Sequence, residues 1–426
     1  MGNKIYYGEY TLKHWIKLML IGDIILPEYQ RHFVWQERDV KRLIQSLKDG
    51  QFVQPVTIAL YNDGTNTCNL VLDGQQRLTS LLLAYLGYFP DKKKFETMGR
   101  ERIASEDDSA QDDGTQNKSG ILWRFPELFQ YGRTKESLVS KIGRDERYVE
   151  LTDSLFADLD ETFFNKTFLG FSYVVPQSSI APDIQKDFSQ LFRNINYFGK
   201  KLDPMDSRKS LYFQDPRLTK FFEGKCQDGK DVLCDLMIIE DLQPCKVDFV
   251  RYLSILSQFY FSTKTDAKDV LVGYSAYSSR ESYYADYVSY ILGIEQEDRI
   301  HKFDGFNFGT VFPADVWIKR FEVLHDTIFR LKSSMSLKDE KSFSAWYEAD
   351  YWLFGLIYHI LFNGKRLKES LTRLNELRRP LSLKEEINAE IKKDKIDSSF
   401  TKNSNRLGYL RSRLLVSYKI YGKYVQ

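Results

Sequence analysis

Cysteine, histidine and long apolar runs are all scarce in this 426-residue chain. The four cysteines, Cys68, Cys226, Cys234 and Cys245, have neither C-x-x-C zinc spacing nor the density of a disulfide scaffold, so each is predicted to be a small buried apolar residue. No apolar run approaches membrane-spanning length, and no signal peptide opens the chain. These absences predict a soluble protein of the reducing cytoplasm without a membrane partner.

Net charge is small as well, and this limits how the chain could bind nucleic acid. A formal charge of +2 excludes a binder that is basic throughout, so a nucleic-acid surface would need local asymmetry of charge. Aromatic residues are plentiful, with 27 Tyr and 30 Phe. These aromatic residues are predicted to pack in cores; the alternative is that a few of them stack on nucleic-acid bases. The length predicts two or three domains.

The most informative stretch reads V-L-D-G-Q-Q-R-L-T-S over residues 71–80. An apolar strand pattern ends at Asp73, and helical spacing of apolar residues follows from Gln75 to Tyr88. The start of a helix favours an anion; Gly74 would allow close backbone approach to a phosphate, and Arg77 could grip two of its oxygens. The alternative is an ordinary strand-to-helix turn with a capping aspartate, since no Walker A loop surrounds it.

Two further segments extend this pattern. Residues 30–35 read Q-R-H-F-V-W, and residues 192–202 read F-R-N-I-N-Y-F-G-K-K-L, with Asp206 and Arg208 soon after. The three segments, in this order, resemble the N-terminal domain family of GmrSD-type modification-dependent restriction enzymes, whose fold is similar to ParB and sulfiredoxin. His32 stands where that family usually has Pro, and Asp206 where it usually has Glu. The resemblance covers residues 24–90 and 183–208.

The resemblance implies a nucleoside triphosphate, Mg²⁺ and catalytic roles for Asp73, Gln76 and Arg77, with Asp73 also as the metal ligand. It assigns nucleotide binding to residues of all three segments: Gln30, Arg31, Gly74, Gln75, Asn196, Gly199 and Lys200. Many relatives also carry an H-N-H nuclease domain, but none of the five histidines here lies in such a signature. A partner chain would then supply the nuclease, or the protein would be a sensor or regulator.

These observations predict an α+β protein in two domains. A ParB/sulfiredoxin-like domain spans residues 1–215, with an acidic mobile insertion at 91–120, and a mainly helical domain spans 216–426. From Lys365 onward there are 16 Lys and Arg against 7 Asp and Glu. DNA contacts are predicted there for three arginines: Arg406, Arg411 and Arg413. The alternative is a terminal helix with a solvated basic face.

The leading functional hypothesis is a nucleotide-binding, NTP-hydrolysing component of a bacterial anti-phage defence or restriction system. It would act on DNA as an oligomer. The alternative hypothesis is a non-enzymatic DNA-binding regulator on the same fold, in which the Gln and Arg side chains bind backbone phosphates.

Overall fold

The chain divides into two compact units in this computed structural model. The N-terminal unit is Met1–Arg100 with Asp112–Ser210, and the C-terminal unit is Glu101–Gln111 with Leu211–Gln426. The structure describes residues 3–26, 33, 35–62, 67–91, 94–95, 102–103, 123, 125–176, 191, 204–213, 215–240, 243–262, 271, 274, 280–294, 303–313, 316–335, 337, 341–368 and 407–426. The sequence had predicted one boundary, after residue 215.

A mixed five-stranded sheet forms the centre of the N-terminal unit. Its strands are β1 (Lys4–Thr11), β2 (Ile24–Ile25), β3 (Val56–Asn62), β4 (Thr67–Asp73) and β8 (Phe168–Val175). Their order across the sheet is β1-β8-β3-β4-β2. The β1–β8 and β3–β4 pairs are antiparallel, whereas β3–β8 and β2–β4 are parallel. A separate two-stranded sheet pairs β5 (Tyr88–Pro90) with β7 (Tyr148–Glu150).

Helices cover this sheet and bury the apolar stripes that the sequence predicts. They are α1 (Leu12–Ile21), α2 (Glu37–Lys48), α3 (Gln75–Leu86), α4 (Lys135–Ile142), α5 (Ser154–Ala157) and α6 (Glu161–Lys166), with a 3-10 helix at Phe125–Tyr131. Thr11, a residue type favoured at helix N-caps, caps α1: its side chain accepts a hydrogen bond from the His14 N–H. Trp15 and Ile16 of that helix are fully buried.

The C-terminal unit is helical but contains a sheet that the sequence did not predict. Its helices are α8 (Pro216–Phe222), α9 (Phe249–Phe261), α10 (Arg280–Leu292), α11 (Phe308–Val311), α12 (Val316–Leu331), α13 (Trp346–Ile357) and α14 (Leu407–Gly422); α7 (Pro204–Lys209) precedes them and belongs to the N-terminal unit. A 3-10 turn at Lys332–Ser334 follows α12, and a π-helix at Tyr358–Phe362 continues α13. The strands β6 (Arg102–Ile103), β9 (Met237–Glu240), β10 (Gln243–Lys246) and β11 (Ser342–Phe343) form a sheet in the order β11-β9-β10-β6.

Part of the predicted insertion is therefore structured. Arg102–Ile103 pairs in parallel with Cys245–Lys246, and Phe95 is buried against Tyr148. The remainder of residues 91–120, including its acidic cluster, lies outside the described residues. Helical spacing of apolar residues also predicts helices at 365–378 and 382–394, and these ranges lie almost wholly outside the described residues. Composition marks a segment as polar, but it does not show where a short strand within it finds a partner.

A charged network is buried in the core of the C-terminal unit. Asp350 accepts hydrogen bonds from Arg251 at 2.7 and 3.1 Å and from Arg413 at 2.8 Å. The Tyr252 hydroxyl donates to the same carboxylate at 3.0 Å. Burial alone would raise the pKa of Asp350, but the two guanidinium groups lower it, so the carboxylate stays charged. The network connects α9, α13 and α14.

Candidate functional site

The D-G-Q-Q-R stretch forms a tight strand-turn-helix in which only glycine fits the turn. Pairing between β3 and β4 steps from Ile58–Val71 to Thr57–Asp73, a β-bulge that turns the end of β4. Gly74 follows with φ +99°, a backbone conformation that other residues rarely adopt. A Cβ at Gly74 would lie 3.0 Å from Val56 Cγ2 and 3.1 Å from Arg77 Nη2. The predicted helix then begins at Gln75.

Arg77 reaches back across this turn instead of pointing into solvent. Its Nη2 donates to Asp73 Oδ2 at 2.7 Å and to the Pro55 carbonyl at 3.3 Å. Its Nη1 donates to Gln54 Oε1 at 3.4 Å, and its Nε is buried without a hydrogen-bond partner in the structure described. The Arg77 side chain is only 13% exposed. Arg77 therefore joins the end of β4 to the residues before β3.

Asp73 keeps part of its carboxylate accessible. Its side chain is 36% exposed, and Arg77 contacts one of its two oxygens, Oδ2. The ion pair spans one helical turn at the helix start, where the dipole favours a negative charge. A ligand approaching Asp73 therefore meets a carboxylate whose position is already fixed by an arginine.

Gln76 connects this turn to the Q-R-H-F-V-W segment. Its side chain is buried, and its Oε1 accepts a hydrogen bond from the Trp35 backbone N–H at 3.4 Å. Trp35 itself is half-buried and packs against the core of the N-terminal unit. Two of the three sequence segments therefore meet in space through the Gln76 side chain. This geometry fits a positioning role for Gln76 better than direct contact with a reacting water.

Several predicted site residues cannot be placed. Gln30, Arg31, Asn196, Gly199 and Lys200 lie outside the described residues, so their convergence on the turn remains a prediction.

The prediction of DNA contacts near the C-terminal end has a different outcome for each of the three arginines. Arg406 lies outside the described residues, and Arg411 is half-buried on α14. Arg413 is fully buried and bonded to Asp350, so the prediction of a DNA contact is wrong for this residue. The segment is predominantly a core helix, because Leu410, Leu414 and neighbours on several faces are buried. Lysine and arginine spacing alone cannot separate a solvated face from a buried ion network.

The residues present could contribute to a Mg²⁺ site without forming a complete one. Within the described ranges, no group of three or more His, Cys, Asp or Glu side chains could hold a metal ion. Mg²⁺ is commonly held by one or two carboxylates together with substrate phosphates and waters. Asp73, with an oxygen that Arg77 does not contact, fits that limited role.

Sequence reasoning missed the support behind the turn. Gln54, Pro55 and Val56 pack against Gly74 or bond Arg77, and all three precede or open β3. The predicted hairpin could have indicated these residues, because antiparallel pairing of β3 with β4 brings the start of β3 beside the end of β4.

Together the mixed sheet, its covering helices and the Asp-Gly turn define an α+β domain with a carboxylate–guanidinium pair at a helix start. Residues 12–213 match the family described as GmrSD restriction endonuclease, N-terminal domain, which confirms the resemblance drawn from the three motifs. The match covers slightly under half of the chain.

A curated relative is also similar to this chain. It is the uncharacterized protein MJ0686 of Methanocaldococcus jannaschii, 28% identical over 237 residues. The aligned region is 47% of this chain and 40% of the relative. Across the described part of the chain, no helix is long and apolar enough to cross a bilayer.

Proposed function

We propose that this protein is a nucleotide-binding, NTP-hydrolysing component of a bacterial anti-phage defence or modification-dependent restriction system, acting in the cytoplasm on DNA. The observation that carries the proposal is the Asp73–Arg77 pair at the helix start, in a segment that matches a restriction endonuclease domain. The fold would be ParB/sulfiredoxin-like. The chain carries no H-N-H signature, so a nuclease partner would complete the system.

Each residue of the turn has a definite task in this proposal. Gly74 has no side chain, so a phosphate could approach its backbone closely. Arg77 holds the Asp73 carboxylate in place and presents positive charge beside it. Gln76 accepts a hydrogen bond from the Trp35 backbone, and Gln30 and Arg31 of the same sequence segment would bind the nucleotide. Bound Mg²⁺ would supply charge neutralisation on the phosphates, with Asp73 as its protein ligand.

The contacts of the same arginine are compatible with a second function. Arg77 donates to Asp73, Pro55 and Gln54, so its hydrogen bonds hold the turn together within the protein. A structural ion pair of this kind suits a non-enzymatic, DNA-binding regulator on the same fold as well as it suits an enzyme.

Hydrolysis of nucleoside triphosphates, measured with and without DNA, distinguishes the two functions. The enzyme hypothesis predicts Mg²⁺-dependent turnover that is lost in Asp73→Asn and retained in Asp23→Asn, an exposed aspartate of the same unit. Absence of turnover with every nucleotide, together with DNA binding, would support the regulator.

A plasmid-cleavage assay tests the missing nuclease separately. The purified protein with Mg²⁺ should leave plasmid uncut. Double-strand cleavage that disappears in Asp73→Asn would show that this domain is itself the nuclease.

A further inference from the structure

A concave site lies on the N-terminal unit and is lined by lysines and an arginine. It is a cleft of about 370 Å³ formed between α1, Tyr85 of α3 and the start of α4. Its lining residues are Thr11, Lys13, His14, Ile16, Lys17, Leu20, Ile21, Tyr85, Arg133 and Lys135. The volume is at the lower end of the range for small-ligand pockets. None of these residues belongs to the D-G-Q-Q-R turn.

The cations of this cleft are incompletely balanced. Glu161 pairs with Lys13 at 2.8 Å and with Lys135 at 3.7 Å, so one carboxylate serves two lysines. Arg133 donates to the Leu20 carbonyl at 3.1 Å and stacks over the Phe129 ring. Lys17 is exposed, and neither it nor Arg133 has a carboxylate within ion-pair distance among the described residues. Positive charge therefore exceeds negative charge in the cleft.

The placement of these cations opposes local helix preferences. Lys13 and Lys17 are four residues apart on α1, a helix without any acidic residue, so like charges are neighbours on one face. Lys135 occupies the first position of α4, where the helix dipole disfavours a cation, although Glu136 follows it. Sequences depart from local preferences chiefly at functional sites. An anion in the cleft would offset both unfavourable arrangements.

The cations are also held in position. Lys13 donates a hydrogen bond to the Tyr85 hydroxyl, and the Tyr85 hydroxyl donates to Glu161 at 3.1 Å. The Lys135 ammonium lies 4.0 Å from the centre of the Tyr85 ring. Burial alone would lower the pKa of Lys13, but its hydrogen bonds to Glu161 and Tyr85 raise it, so the lysine remains charged. Contacts within the protein therefore fix the ammonium groups of Lys13 and Lys135 around the Tyr85 ring.

We propose that this cleft binds phosphate groups. The phosphates of a free nucleotide and those of a nucleic-acid backbone share the chemistry that four clustered cations recognise. Ile21 gives the cleft an exposed apolar edge beside these charges. The inference does not depend on hydrolysis at Asp73, because it concerns different residues on other helices.

The test uses the full chain carrying Lys17→Gln and Lys135→Gln together. The matched control carries Lys141→Gln and Lys166→Gln, two exposed lysines of the same unit outside the cleft, which change the net charge equally. A fluorescein-labelled DNA duplex is titrated by anisotropy at several NaCl concentrations, and ATP and GTP are titrated by calorimetry. Melting temperatures of both variants show whether each is folded.

We expect the cleft variant to lose about tenfold or more in affinity for one of these probes, whereas the control does not. If the probe is DNA, the slope of log affinity against log salt should also fall by about two units. Loss of affinity for DNA alone identifies backbone phosphates as the ligand, and loss of affinity for a nucleotide alone identifies nucleotide phosphates. Equal affinities of the cleft and control variants for every probe would overturn the proposal, as would no binding by the wild type.

Discussion

Replacing Arg77 with alanine should destabilise the N-terminal unit by a measurable amount. The change removes a charge-assisted hydrogen bond to Asp73 at 2.7 Å and a bond to the Pro55 carbonyl at 3.3 Å. A hydrogen bond to a charged group contributes about 1.5–3 kcal/mol, and the lower end applies because Asp73 is partly exposed. With the longer bond to Pro55, we expect the free energy of unfolding to fall by about 2 kcal/mol.

Asp73→Asn is the matched variant. An asparagine carbonyl oxygen can still accept the Arg77 hydrogen bond, so we expect a loss below about 1 kcal/mol. For a unit of this size, 1 kcal/mol corresponds to about 2–4 °C, so Arg77→Ala should lower the melting temperature by about 4–8 °C. Asp73→Asn should change it by less than half of that.

Scanning calorimetry of the full chain gives these melting temperatures. At temperatures well below the melting transition, calorimetric titration gives the nucleotide affinity and a hydrolysis assay gives the turnover. We expect Asp73→Asn to keep some nucleotide binding and to lose hydrolysis, because the amide keeps the shape without the charge. An Arg77→Ala protein that melts at the wild-type temperature would refute the contacts described for Arg77. Equal destabilisation by both variants, without any nucleotide binding by the wild type, would make the pair purely structural.

Three further predictions concern stability. Asp350→Asn should lower the free energy of unfolding, measured by urea denaturation, by about 3–5 kcal/mol, because two buried guanidinium groups lose their counter-charge. A decrease below about 1 kcal/mol would contradict the network. Gly74→Ala should lower the free energy of unfolding by about 1–3 kcal/mol, and by more than Gly50→Ala does. Both glycines have positive φ, but only at Gly74 would a Cβ lie 3.0 Å from Val56. Equal decreases for the two variants would refute the packing argument. The Arg147 side chain, together with Tyr131, holds the pKa of Asp145 well below its usual value, so its stabilisation is present above pH about 4 and is lost as pH falls towards the folded-state pKa. The acid dependence of unfolding should therefore be shallower in Asp145→Asn, and an unchanged slope would contradict this.

Local chemistry in the sequence was enough to predict several elements of the N-terminal unit. Apolar spacing and a Thr cap predicted α1, and the same spacing predicted α2 and α3 to within a few residues. The Asp73-Gly74 dipeptide between a strand pattern and a helix pattern predicted the turn. These features are decided by residues close together in the chain, so periodicity and capping suffice.

The same reasoning predicted the chemical character of some residues outside that unit. The apolar residues around His359 predict a histidine packed inside a helix, and it is buried, with its Nε2 3.0 Å from the Tyr418 carbonyl oxygen. Three of the four cysteines, Cys226, Cys234 and Cys245, are buried as expected, and Cys68 is half-buried.

Tertiary structure alone decided which charged residues are exposed. Arg413 and Arg77 both looked like phosphate ligands in the sequence, yet Arg413 lies in the core beside Asp350, and Arg77 is turned back onto Asp73 and Pro55. The lysines of the cleft are brought together by α1 and α4, which are separated by more than a hundred residues. The sequence determines how many cationic residues there are. Packing determines which of them face a carboxylate and which face solvent, because ion pairing depends on distances between residues that are remote in sequence.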